Sequence, residues 1–180
     1  RRDELHLLGD HNVANALAAA LAVHEAGVPP RLIAEGLRSF QALPHRLEPV
    51  REVGGVLWIN DSKATNIAST VVAIDAMSRP FVLLLGGRHK GEPYTRLGPL
   101  LANRARRVIA YGEAGPIVEQ DLAGQAPLER GTTFEDVVLR ARRAARPGDA
   151  VLLSPACSSY DMFKNYEERG ATFRRLVEAM

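Results

Sequence analysis

The sequence predicts an α/β fold: an open, mostly parallel sheet with helices on both faces, preceded by a short helical segment. Three observations carry this. From Pro44 onward, apolar runs of strand length alternate with helical patterns. The runs "FVLLL" (81–85) and "AVLLS" (150–154) are apolar on both faces, as in strands covered by helices on each side. The 180 residues, 46% hydrophobic and 24% charged, suit a globular chain with one sizeable domain, or one domain plus a piece of another.

The first segment is helical. Asp10 is placed to cap a helix through "HNVANALAAALAVHEA", stopped at Gly27. "VPPRLIAEGLRSF" predicts a second helix, with Pro30 in its first turn and Leu32, Ile33, Leu37 and Phe40 on one side. Ahead of both, "ELHLLG" reads as a strand end without a partner. Two helices and a strand stump bury little, so residues 1–43 are expected to be the end of a domain whose front half is missing. "QALPHRLEPV" marks the boundary, because Pro44 blocks a helix and holds Leu43 extended.

Residues 44–180 then form the second domain. "HRLEPVREV", Gly54-Gly55 and "VLWIN" predict a hairpin. A helix "NIASTVVAIDAM", a strand "PFVLLLGG", a helix "YTRLGPLLANR" and a strand "RRVIAYG" follow. Two helices, "AGPIVEQDLA" and "TTFEDVVLRARRAA", lead to the strand "DAVLLSPA", and "DMFKNYEERGATFRRLVEAM" reads as one long closing helix.

Bulk properties narrow the function. A net charge of +2 gives no electrostatic case for nucleic acid or a membrane surface. The longest apolar run, Ala14 to Val23, is too short and Ala-rich to span a bilayer, and no apolar stretch follows the opening arginines as in a signal peptide. A single cysteine, Cys157, rules out an internal disulfide framework and suits a reducing, cytoplasmic compartment. Of 23 basic Lys and Arg residues only Lys63, Lys90 and Lys164 are lysines. A codon bias accounts for that most simply, yet it makes their positions informative.

In open parallel sheets, ligands bind beyond the carboxyl ends of the strands. That rule selects three loops: "NDSKATN", "GGRHKGEP" and "SPACSSYD". Lys63 and Lys90 fall in the first two, and Lys164 is expected in the first turns of the closing helix. Helix starts offer free N–H groups and partial positive charge, the lysines add full charge, and Thr65, Ser158 and Ser159 add hydroxyls. The combination favours a ligand with more than one anionic group, such as a dicarboxylate or a phosphate compound. Each residue alone is more often a simple cap or a solvated surface group. The three loops together tilt toward a site.

Other signals are weaker. "GGRHKG" lacks the G-x-G-x-x-G spacing of a dinucleotide site, "YGEAG" matches it faintly, and no G-x-x-x-x-G-K-[ST] phosphate loop occurs. Cys157 has no evident orienting histidine and reads as a small packed residue. The five histidines show no metal-ligand spacing. Asn12 and Asn15 share a helix face, where paired amides are either surface polar groups or readers of a nucleobase edge. Gly170 reads as a site of close packing. From the fold alone, a nucleotide-binding oxidoreductase module and a non-catalytic partner-binding domain stay open.

In order, "GDHNVANALAA", "LPHRLE", "NDSKATN", "LLLGGRHKG" and "LLSPACSSYDMFKNYEERGATF" resemble motifs of the Mur ligase family, across essentially the whole chain. "NDSKATN" is the most specific, and it points to the D-glutamate-adding branch rather than to sibling amino-acid ligases or folylpolyglutamate synthetases. The resemblance implies that residues 1–43 end a central ATP-binding domain and that 44–180 form a Rossmann-like, amino-acid-binding C-terminal domain. Preceding N-terminal and central parts would carry the phosphate loop. It implies an ATP- and Mg2+-dependent ligase that joins D-glutamate to UDP-N-acetylmuramoyl-L-alanine through an acyl phosphate, in peptidoglycan precursor synthesis. It implies that Asn12 and Asn15 face adenine and that Arg46 and Asp61 meet the nucleotide's phosphates and ribose. Thr65, Lys90, Ser159 and the backbone N–H of Tyr166 would hold the two carboxylates, with Lys63 close by. Tyr166 replaces the family's usual Phe. No catalytic residue and no metal ligand is implied within the chain, which is expected to be inactive alone. Closure around a hinge near Ala42 to Pro44 would shield the acyl phosphate from water.

Overall fold

A computed structural model describes residues 2–180, which divide into two compact units, one ending at Leu43 and the other spanning Pro44–Met180. The first unit holds a 3-10 turn (Arg2–Glu4) and helices α1 (Asp10–Glu25) and α2 (Pro30–Ser39). Asp10 does not cap α1. It is the first helical residue and pairs with Arg2, while Gly9, at φ 84°, takes the cap position. "ELHLLG" is not a strand; His6 makes only an isolated parallel bridge to Gln41. Ala16 is the one buried residue among the described residues of this unit. Leu17 and Leu21 are 66% and 61% exposed, and Leu32 and Phe40 are also exposed. The unit therefore has very little core of its own.

The second unit is a six-stranded sheet in the order β1-β2-β6-β3-β4-β5. Its strands are β1 (Glu48–Val53), β2 (Val56–Asn60), β3 (Phe81–Gly86), β4 (Ala105–Tyr111), β5 (Leu128–Arg130) and β6 (Ala150–Leu153). β1 and β2 are antiparallel, joined by Gly54-Gly55 at φ 58° and 77°, the left-handed conformations a tight hairpin needs. All other pairings are parallel. β6, last in sequence, inserts between β2 and β3, so the three strands whose following loops carry the chemistry are neighbours.

Helices α6 (Phe134–Ala144) and α7 (Tyr166–Glu178) cover one face, packing Phe134, Val137, Phe173 and Val177 on Trp58, Leu84, Ile109 and Leu153. Burying side chains of this size stabilises the fold by about 1.5–3 kcal/mol each. The alternate strand residues Ile59, Leu83, Leu85 and Leu152, also buried, point to the other face. There lie α3 (Ile67–Asp75), α4 (Gly98–Leu101) and α5 (Gly115–Asp121).

Three elements differ from the sequence expectation. "YTRLGPLLANR" splits into a 3-10 turn, Tyr94–Leu97, and the single turn α4, because Pro99 has no N–H to continue a helix. "APLER" supplies the unanticipated edge strand β5. The closing helix begins only at Tyr166: Asn165 caps it by accepting the Glu168 N–H at 2.8 Å, and Glu168 Oε2 returns to the Lys164 N–H at 2.7 Å. Lys164 therefore sits before the helix rather than in its first turns.

Candidate functional site

The β2–α3 loop sorts its residues by direction. Asn60, Asp61 and Ser62 turn inward and are buried. Lys63 is exposed, Thr65 is half-buried, and Asn66 caps α3 by accepting the Ser69 N–H at 2.8 Å. The Asp61 N–H donates to the Leu153 carbonyl (2.8 Å), tying the loop to β6. The Asp61 carboxylate accepts the Leu47 N–H (3.1 Å) and the Ser154 hydroxyl (2.8 Å). Burial pushes this carboxyl up to about 7, against the opposing pull of Ser154, Leu47 and the nearby Arg46 guanidinium. Arg46 itself is exposed, between His45 and Leu47 at φ 65° and 43°. Positive φ at two non-glycine residues is held only because the Leu47 N–H is fixed on Asp61 and the His45 N–H on Glu48 (3.1 Å).

Arg169, on α7, joins two of the loops. Its guanidinium has no solvent exposure and is paired with no carboxylate among the described residues. It donates to the Ser62 hydroxyl (2.9 Å), the Ser62 carbonyl (2.8 Å) and the Cys157 carbonyl (3.2 Å). The Ser62 hydroxyl donates onward to the Tyr166 carbonyl at 2.8 Å.

The loops after β3 and β6 are stitched directly. The Gly86 N–H donates to the Pro155 carbonyl (3.1 Å) and the Arg88 N–H to the Ser158 carbonyl (2.9 Å). Gly87 is required there: a Cβ on it would lie 2.3 Å from the Ser158 carbonyl oxygen. Beneath this contact, Tyr94 Oη lies 2.8 Å from Cys157 Sγ and 3.1 Å from His89 Nδ1. Burial pushes the Cys157 thiol up to about 11, which makes it an inert packed group. His89 thus reaches the cysteine only through a tyrosine, a link that sequence spacing did not reveal.

The residues singled out from the sequence fall as follows. Lys90 lines a small cleft with Asn66, Ile67, Glu92, Tyr94 and Ala156, so it faces the start of α3 and the β6 loop. Thr65 precedes that same α3 start, and buried Ser159 follows the Arg88–Ser158 stitch. Tyr166 is the first residue of α7, where the N–H has no helical acceptor. Among the described residues, no hydrogen bond or ion pair engages the side-chain polar ends of Lys90, Thr65, Ser159 or Arg46. Lys63 Nζ sits 4.1 Å from the Tyr166 ring centroid, a cation–π contact. Asn12 and Asn15 lie on α1 in the first unit; Asn12 Nδ2 donates to the Leu8 carbonyl (2.8 Å) and Asn15 Nδ2 comes within 3.5 Å of Asn12 Oδ1. Lys164 is exposed. Sequence reasoning missed Arg169, His45 and the framing role of Asn60. Arg169 reads as one more charged helix residue, and only its place before Gly170 hints at tight packing.

Among the described residues, no three His, Cys, Asp or Glu side chains converge to hold a metal ion. No helix is long and apolar enough to cross a membrane.

The described residues form an open α/β sheet in which Lys90, Thr65 and Ser159, on the loops after β3, β2 and β6, have no side-chain hydrogen-bond or ion-pair partner among the described residues. Residues 45–157 match the model of the Mur ligase glutamate ligase domain, and the chain belongs to the Mur ligase family. It is 52% identical over 180 residues to a UDP-N-acetylmuramoylalanine–D-glutamate ligase of Salinibacter ruber, and 44% identical over 181 residues to one of Symbiobacterium thermophilum. It covers 99% of itself but only 39% and 40% of those relatives, so it spans about two fifths of their length. Among solved structures, MurF from Acinetobacter baumannii aligns with TM-score 0.72 at 20% identity, covering 97% of this chain and 39% of that one. A folylpolyglutamate synthase from Thermotoga maritima aligns at 0.64 and 18%, covering 98% and 41%. These two likenesses concern the fold. The oxidoreductase alternative finds no support among these relatives.

Proposed function

We propose that this chain is the end of the ATP-binding domain, up to Leu43, and the amino-acid-binding domain, from Pro44, of an ATP-dependent ligase. The ligase joins D-glutamate to UDP-N-acetylmuramoyl-L-alanine for peptidoglycan precursor synthesis in the cytoplasm. The observation that carries this is the set of unengaged groups on three adjoining loops: Lys90 Nζ, the hydroxyls of Thr65 and Ser159, and the Tyr166 N–H. Two carboxylates need several donors, and these donors have no partner among the described residues. The names borne by the two D-glutamate ligases compared above supply the amino acid and the acceptor.

The chain's own residues then act by positioning. With both carboxylates fixed, the amine of D-glutamate is aimed at the activated acyl carbon, and such orientation can lower a barrier by several kcal/mol. Arg46 and Asp61 fit the nucleotide side: Arg46 offers an unengaged guanidinium, and Asp61 retains lone pairs beyond its two hydrogen bonds for a ribose hydroxyl. Asn12 and Asn15 would read the adenine edge. ATP supplies the phosphoryl group that activates the acceptor carboxylate. Among the described residues no three His, Cys, Asp or Glu side chains converge to hold Mg2+, so no magnesium step is assigned to them, and the chain by itself is expected to be inactive.

The test is Lys90→Ala in the full-length enzyme. Loss of a charge-assisted contact made to the amino acid should raise the KM for D-glutamate roughly 10- to 100-fold, following about 1.5–3 kcal/mol per such bond. The KM for ATP should move far less. Equal effects on both would remove Lys90 from the amino-acid site.

A further inference from the structure

Asn60 closes β2 with no solvent exposure. Its Nδ2 lies 3.0 Å from His45 Nδ1, 3.1 Å from Glu48 Oε2 and 3.3 Å from the Gly170 carbonyl oxygen. Its Oδ1 accepts the Ser62 N–H at 3.2 Å. These neighbours fix the amide's orientation. Reversed, its oxygen would face a carboxylate and a carbonyl, which only accept, and its NH2 would face a backbone N–H, which only donates. The group facing His45 Nδ1 is therefore a donor, and Nδ1 must present a lone pair.

We propose that Asn60 is a positioning residue of the amino-acid site: it holds His45 in the tautomer protonated on Nε2, and the ring so fixed sets the spacing between the β2–α3 loop and the start of α7. The proposal rests on the function proposed above for what that spacing serves.

His45 is the wedge between these elements. Its ring meets the Tyr166 ring edge-on, 5.9 Å between centroids. It fills the space a side chain at residue 170 would take, since a Cβ on Gly170 would lie 2.1 Å from His45 Nδ1. Its carbonyl accepts the Lys63 N–H at 3.0 Å. Lys63 Nζ in turn lies over the Tyr166 ring. His45, Tyr166 and Lys63 thus form one packed set, and the set of the imidazole decides where the Tyr166 N–H and the Lys63 ammonium stand. A proton on Nδ1 would face the Asn60 NH2, which offers two N–H bonds and no lone pair to accept it. The ring could relieve that only by turning away from Asn60, where Gly170 and Tyr166 leave it no room. Carboxamide substitutions separate the two ring nitrogens, because an Asn side chain places its oxygen near Nδ1, whereas the amide of Gln reaches the Nε2 position and leaves no acceptor near Asn60.

The experiment uses the full-length enzyme with 15N-labelled histidine and long-range proton–nitrogen NMR. The His45 signal is assigned by its loss in His45→Asn or His45→Gln, or by its contacts with the Tyr166 ring. For the neutral ring, Nδ1 should carry the shift of an unprotonated nitrogen and Nε2 that of a protonated one. A protonated Nδ1, or an average of both tautomers, overturns the proposal, and this readout needs no variant to fold. In kinetics, His45→Gln should raise the KM for D-glutamate about tenfold, the scale of one lost hydrogen bond with its displaced neighbours, and His45→Asn no more than about threefold. Equal or inverted effects overturn the proposal. If Lys90→Ala leaves D-glutamate binding unchanged, the functional assignment falls, while the tautomer is decided by the spectrum alone.

Discussion

Arg169→Met is the sharpest perturbation of the frame beneath the site. Methionine fills the volume of the arginine stem and removes the charge with all its donors. Two buried carbonyls, those of Ser62 and Cys157, would lose the guanidinium. Leaving a buried acceptor unsatisfied costs about 1–3 kcal/mol each. The Ser62 hydroxyl loses one donor but keeps its own bond to the Tyr166 carbonyl. On the other side, the cation is wholly buried without a carboxylate partner, so removing it relieves a desolvation penalty that offsets part of the loss. The net expectation is a destabilisation of about 2–4 kcal/mol, which for a chain of this size lowers Tm by about 5–10 °C. Urea unfolding of the 180-residue chain should show the midpoint falling with an unchanged slope. Arg169→Lys should fall between, since one ammonium cannot serve both carbonyls in the same geometry. In the full-length enzyme, Arg169→Met should also raise the KM for D-glutamate, because Thr65 and Ser159 stand on the two loops that Arg169 ties. A Tm within about 2 °C of the parent together with an unchanged KM would refute the reasoning.

Asp61 predicts a pH signature. Its carboxyl titrates near 7 in the fold and near 3.8 unfolded, so between about pH 4 and 7 the folded state holds more protons. Stability should fall as pH rises through that window, by at most about 4 kcal/mol at 1.36 kcal/mol per pKa unit. Asp61→Asn should flatten the profile; the same decline in both proteins, followed by urea midpoint against pH, would contradict the assignment. Gly170→Ala drives a methyl group against His45 and should destabilise the chain by about 1–3 kcal/mol. A loss below about 0.5 kcal/mol would show that the His45 ring moves aside freely.

The sheet was legible because its strands carry their own signatures: "FVLLL" and "AVLL" are apolar throughout, and Gly54-Gly55 permits one kind of turn. The three candidate loops were legible because a parallel sheet puts them at one edge. Elements whose boundaries depend on local competition were not. The closing helix looked unbroken from Asp161, since nothing in "DMFKN" forbids a helix, yet Asn165 and Glu168 form a cap that starts it at Tyr166. β5 is three residues long and exists because β4 offers it an edge. Apart from the Ser62 N–H on Asn60 and Glu48 on the His45 N–H, the partners of Arg169, Asn60 and His45 lie 12 to 110 positions away along the chain, and no periodicity encodes them.

The motif "NDSKATN" divides on a physical criterion that the sequence alone could not apply. Asn60, Asp61 and Ser62 are buried, and each polar end is engaged by the protein: Asn60 by His45, Glu48, Gly170 and Ser62, Asp61 by Leu47 and Ser154, Ser62 by Tyr166 and Arg169. A buried polar group needs such partners to be tolerated at all, so these residues are held by the requirements of folding. Thr65, like Lys90 and Ser159 on the adjoining loops, has no such side-chain partner among the described residues. Within this one short loop, the buried and engaged residues 60–62 thus stand beside Thr65, whose hydroxyl is unengaged. Substitutions at Asn60 and Ser62 should cost stability and one at Thr65 affinity, while Asp61, which serves the fold and the proposed nucleotide contact, should show both losses.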